Sequence, residues 1–113
     1  MAKRDTAHRL AESPAALGYR LPAEWEPQAA TWIAWPHRRP TFLGPFADIP
    51  PVYEQLARII ARHEPVRIIG SREVLTAPRE RLTAEPGISF IDMPTSDSWV
   101  RDTGPVWLVP RDR

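Results

Sequence analysis

Ala29-Ala-Thr-Trp-Ile-Ala-Trp35 is a run of small, β-branched and aromatic residues that stops at Pro36. This composition predicts a strand, ended by a residue with no N–H to give to a ladder. Alternation puts Trp32 and Ala34 on one face and Thr31, Ile33 and Trp35 on the other. Both faces are apolar, so the strand is expected to be buried. The elements downstream of it decide the fold class.

Residues 37–48 carry Pro40, Gly44 and Pro45 and read as a long loop. Ile49 to Arg62 reads as a helix, with Asp48 placed to cap it and Pro50 or Pro51 suited to its first turn. Val52, Leu56, Ile59 and Ile60 recur at helical spacing and are expected to form its buried face, with Glu54, Arg58 and Arg62 wet. Val66 to Gly70 is a second strand. Arg72 to Thr83 is helix-prone but contains Pro78, which predicts one bent helix or two short pieces. Ile88 to Ile91 is a third strand and Val106 to Val109 a fourth. Strands alternating with helices predict an α/β fold, with helices on one face of a mixed sheet.

The outer segments are less regular. Residues 1–13 are polar and charged and are expected to be a loosely attached tail. The segment from Pro14 to Pro27 holds Pro14, Gly18, Pro22 and Pro27 and reads as an extended arm. Five Trp in 113 residues is a high count, and most are expected to be packing residues.

Composition narrows the function. Lys+Arg 15 against Asp+Glu 14 gives a net charge of +1. That balance gives no general reason for nucleic acid or an anionic membrane as partner. The basic pairs Arg38-Arg39 and Arg79/Arg81 have acidic residues interleaved and form no concentrated stripe with stacking aromatics. Trp32 and Trp35 lie three apart in a strand, on opposite faces, which argues against a proline-recognition surface. The glycines are dispersed, with no phosphate-binding loop. The chain has no cysteine, which excludes a disulfide framework and any thiolate nucleophile of its own. His8, His37 and His63 are far apart and form no metal-ligand pair, so no metal site is expected. No leader or membrane span is visible in the sequence, which makes the cytoplasm the expected compartment.

The chemistry concentrates in Pro94-Thr-Ser-Asp-Ser-Trp-Val-Arg-Asp-Thr-Gly-Pro105. A polar loop leading straight into a strand has the character of a site on a rigid scaffold. Asp102, three residues after Trp99, offers a carboxylate for paired hydrogen bonds, and Trp99 offers a ring face for a cation. A structural reading stands beside this one: Arg101 and Asp102 pair, while Asp97 and Ser98 satisfy a turn.

Two stretches then carry a resemblance. Gly18-Tyr-Arg-Leu-Pro-Ala-Glu-Trp-Glu-Pro-Gln-Ala-Ala-Thr-Trp-Ile-Ala-Trp-Pro-His37 resembles the opening of agmatine deiminases and of the related bacterial (Porphyromonas-type) peptidyl-arginine deiminases. Pro94 to Pro105 resembles that family's first active-site loop. Gln28 departs from the family, which often has histidine there. The resemblance implies a pentein-type propeller of ββαβ modules, of which residues 14–113 would be the N-terminal portion. It implies hydrolysis of a guanidinium to a ureido group and ammonia, with no metal or organic cofactor. For agmatine the product would be N-carbamoylputrescine.

In the family a cysteine attacks the guanidinium carbon, a histidine handles protons and two aspartates grip the guanidinium nitrogens. Here Asp102 matches the first gripping aspartate and Trp99 the aromatic residue beside it. Arg101 and Asp97 lie in the same motif and are expected to support it. If the loop is extended, Arg101 points away from Asp102. No position matches the cysteine, the histidine or the second aspartate, so the chain alone is expected to be inactive. The implied partners are a small guanidinium substrate, a missing C-terminal portion or a second copy. Peptidyl-arginine or arginine as substrate, and a non-catalytic guanidinium-binding remnant, remain alternatives.

Overall fold

The computed structural model describes residues 13–112. Gln28–Gly104 forms one compact unit, and the described residues before and after it form a second. The expected tail, apart from Ser13, and His8 lie outside the described residues.

The larger unit is built on three strands: β2 (Thr31–Ala34), β3 (Val66–Gly70) and β4 (Ile88–Asp92). They lie in the order β2-β3-β4 and all run parallel, with Ile33 opposite Ile68 and Ile68 opposite Phe90. Helix α1 (Ile49–Ala61) connects β2 to β3, and α2 (Thr76–Leu82) connects β3 to β4. Parallel neighbours need such crossovers. Right-handed crossovers that advance in one direction put both helices on one face. The two helices do touch: Arg81 Nη1 lies 2.8 Å from Glu54 Oε1. The mixed sheet that was expected is therefore a parallel one, and no closed propeller is present among the described residues.

Ile33 from β2, Trp35 just after it, Val66 and Ile68 from β3, Ala57 from α1, and Leu75 and Leu82 make the core. Tyr53 closes it with its ring edge-on to Trp35, centroids 6.1 Å apart. Burying Ile68 and its neighbours removes whole apolar side chains from water, about 1.5–3 kcal/mol each.

The phase of α1 differs from the expectation. Tyr53, Ala57, Ile60 and Ala61 face the core, while Val52, Leu56 and Ile59 remain exposed. Glu54, expected to be wet, is buried, because Arg81 pairs with it and Arg58 Nη1 lies 3.8 Å away. Asp48 holds the position before α1 but its side chain makes no capping bond. Pro78 sits in the first turn of α2, where its missing N–H has no helical partner to lose, so α2 starts late at Thr76 and is not bent by it.

The second unit holds a two-stranded antiparallel sheet of β1 (Tyr19–Arg20) and β5 (Val109–Pro110), with Tyr19 opposite Pro110. The arm thus contains a short strand. The fourth strand begins at Val109 and not at Val106, and Val106, Trp107 and Leu108 are exposed. Arg20 and Glu26 meet as two planar forks, with both N–O distances 2.8 Å. That pair and the Ala23 N–H pull the Glu26 carboxyl down to about 2. Of the five Trp only Trp35 is buried; Trp25, Trp99 and Trp107 are exposed, so most are not packing residues.

Candidate functional site

Because β2, β3 and β4 are parallel, their carboxyl ends share one end of the sheet. In open α/β sheets ligands bind outside those ends. Two segments that leave β2 and β4 there carry the candidate residues.

The β2 segment turns at once. His37 Nδ1 lies 3.2 Å from the Trp35 carbonyl oxygen. A single 3-10 turn comes next, at Arg39–Thr41. The β4 segment crosses Met93 to Ser98 and enters helix α3 (Val100–Thr103), which lies against β2. The Thr41 hydroxyl donates to Asp97 Oδ2 at 2.8 Å, and the Ser98 N–H donates to Asp97 Oδ1 at 2.7 Å. Burial works against the Asp97 charge. The Ser98 N–H, the Thr41 hydroxyl and the positive charge of Arg38 outweigh it and hold the carboxyl below the usual range.

Helix α3 is a single turn where an extended loop was expected. The Asp102 and Thr103 N–H groups donate to the Trp99 carbonyl oxygen at 3.1 and 3.2 Å, and the Thr103 hydroxyl donates to the same oxygen at 3.1 Å. Trp99 is the residue just before α3, with a non-helical ψ of 72°, and Asp102 lies on the turn. The Asp102 N–H bond to the Trp99 carbonyl oxygen holds the two backbones together, and both residues are exposed, Trp99 at 58%. Arg101 lies on the same turn about 100° around the axis from Asp102, and not on the opposite side as an extended loop requires. The turn closes at Gly104, whose N–H donates to the Val100 carbonyl oxygen at 2.6 Å.

A carboxylate beside an open indole face can hold a planar cation by paired hydrogen bonds and by the ring quadrupole. Asp97 does neither directly, being occupied by Thr41 and Ser98. Sequence reasoning missed Thr41 and Arg38. Neither belongs to a motif, and the only signal was their place just after a strand. Among the described residues no three His, Cys, Asp or Glu side chains cluster to hold a metal ion. No described helix is long and apolar enough to cross a membrane.

Residues 20–113 match the Porphyromonas-type peptidyl-arginine deiminase family. The chain belongs to that family. The match takes in Asp97, Trp99, Arg101 and Asp102. The agmatine deiminase of Stutzerimonas stutzeri is 38% identical over 100 residues, 88% of this chain and 27% of that protein. The agmatine deiminase of Pseudomonas fluorescens is 37% identical over 102 residues, 90% of this chain and 27% of that protein. The solved agmatine deiminase of Enterococcus faecalis superposes with a TM-score of 0.78 at 28% identity, over 87% of this chain and 26% of that one. The chain thus spans about a quarter of the length of these members of the deiminase family.

Proposed function

We propose that this chain supplies the guanidinium-gripping side of an agmatine deiminase active site. The carrying observation is that Trp99, just before α3, and Asp102, on it, are both exposed and joined by the Asp102 N–H bond to the Trp99 carbonyl oxygen, at the carboxyl end of a parallel sheet. Asp102 accepts hydrogen bonds from two guanidinium nitrogens, and Trp99 covers the plane of the cation. The chain has no cysteine, so the thiolate that attacks the guanidinium carbon comes from outside these 113 residues. Attack there expels ammonia, and water then releases the ureido product, N-carbamoylputrescine, from the sulfur. Agmatine is proposed as substrate, ahead of peptidyl-arginine or arginine, because the similar proteins are agmatine deiminases by name. On this reading residues 14–113 form the N-terminal portion of a deiminase domain, and the three-stranded unit is part of a pentein-type propeller.

Calorimetric titration of the chain with agmatine tests the reading. Binding that is lost in Asp102→Asn and weakened in Trp99→Leu, with no ammonia released, is the expected result. Equal binding in the Asp102→Asn variant sinks it.

A further inference from the structure

We propose that Thr41 and Asp97 form a latch that positions the Trp99–Asp102 turn, with Asp97 acting as a positioning residue and Thr41 as its anchor on the β2 side of the sheet. The latch rests on the proposed function only for its consequence in binding; the contact itself stands on geometry.

The Thr41 hydroxyl reaches Asp97 across 56 residues of sequence, at 2.8 Å. It joins the segment after β2 to the segment after β4, side chain to side chain. The other carboxylate oxygen of Asp97 accepts the Ser98 N–H at 2.7 Å. Ser98 is the residue before Trp99, so the bond fixes the backbone at the entry to α3. Asp97 therefore uses its two oxygens in two directions, one toward the neighbouring segment and one toward the turn that bears the site.

Such an anchor matters because α3 is only four residues long. A single isolated turn fixes several dihedrals for very few hydrogen bonds and does not persist alone in water. Trp99 makes no side-chain cap, and no residue of α3 is buried. The Thr41 end is itself held. Its own N–H donates to the Arg38 carbonyl oxygen at 3.2 Å, and the next residue, Phe42, packs edge-on against Tyr53 of α1 with centroids 6.5 Å apart. Phe42 thus ties the segment to a helix that bears on the core, and the bond from Thr41 passes that rigidity to the site.

Losing a hydrogen bond to a charged acceptor should open the turn by roughly tenfold. The test uses the chain itself, by NMR. Thr41→Val keeps the shape and removes the hydroxyl; Thr41→Ser restores a hydroxyl and serves as rescue. The expected result is roughly tenfold faster amide exchange at Ser98, Asp102 and Thr103 and a shifted Trp99 indole resonance in Thr41→Val. Thr41→Ser should return both toward wild type, and β3 amides should stay protected in every variant. Unchanged exchange and an unchanged Trp99 resonance in Thr41→Val overturn the latch, as does an equal change in Thr41→Ser. Agmatine added to each sample separates the two readings. If wild type binds, Thr41→Val should bind roughly tenfold more weakly. If wild type does not bind, the guanidinium reading fails while exchange still decides the latch.

Discussion

Arg81 Nη1 lies 2.8 Å from Glu54 Oε1 and so joins α2 to a carboxylate that is 8% exposed on α1. The two partners are unequal, since the Arg81 side chain is 59% exposed and reaches water without help. That inequality makes the cost of breaking the pair depend on which partner is removed.

Arg81→Ala leaves a buried carboxylate with Arg58 alone at 3.8 Å. An under-satisfied buried charge costs about 1–3 kcal/mol or more. Glu54→Leu leaves Arg81, which can turn to solvent, and Arg58, which keeps its Glu85 partner, and it adds an apolar side chain to a buried site. It should cost less than about 1 kcal/mol. Urea denaturation of both variants gives the comparison. Equal losses would show that Glu54 is not buried in solution.

The two faces of α1 give a second prediction. Ala57 is fully buried at the core and Leu56 is 43% exposed. Ala57→Leu overfills the core beside Ile33, Trp35, Val66 and Ile68 and should cost about 1–3 kcal/mol. Leu56→Gln on the open side should change stability by about 0.5 kcal/mol or less. The opposite order, read by the same denaturation, would put the buried face of α1 where sequence periodicity alone places it.

That periodicity shows what the sequence could and could not reveal. β3 was legible to the residue, because Val66-Arg-Ile-Ile-Gly70 lies between Pro65 and a loop and its neighbours confirm the alternation of strand and helix. The existence of α1 was legible too. Its phase was not, because the burial of Glu54 depends on Arg81, 27 residues away and on another helix. Trp99 and Asp102 could be named as candidates from their chemistry, their spacing and the family likeness. The single helical turn could not, since a four-residue helix has almost no propensity signal of its own. Thr41 was out of reach because its partner lies 56 residues on.

Acid should act on the smaller unit through Glu26. Its carboxyl is held at about 2 in the folded chain, first by the Arg20 guanidinium and then by the Ala23 N–H, against an ordinary value of 4.5. A depressed folded value means that the unfolded chain takes up its proton first as pH falls. The contribution is therefore complete above about 4.5 and is lost as pH drops through about 2. A carboxyl-carbon NMR titration of Glu26 should give a midpoint near 2 in wild type and a normal one in Arg20→Gln. A normal midpoint in wild type removes the Arg20–Glu26 fork.

Gly104 is fixed by space and not by backbone freedom. Its φ of −76° and ψ of 165° suit any residue. A Cβ built there, however, would sit 2.5 Å from the Val100 carbonyl oxygen and 3.1 Å from Val100 Cγ1. Backbone cannot yield as a flexible side chain can, so Gly104→Ala must push the segment away and break the Gly104 N–H bond to Val100. With that bond gone, the single turn of α3 loses its closing contact, and the Asp102 N–H bond to the Trp99 carbonyl oxygen loosens. Gly104→Ala should therefore shift the Trp99 indole resonance and, where agmatine binds, weaken it severalfold, while β2, β3 and β4 amides keep their protection. Global unfolding in this variant would contradict the prediction, because the atoms nearest that Cβ all belong to Val100, which is no part of the core. An unmoved Trp99 resonance would contradict it from the other side, by showing that the turn does not depend on its closing glycine.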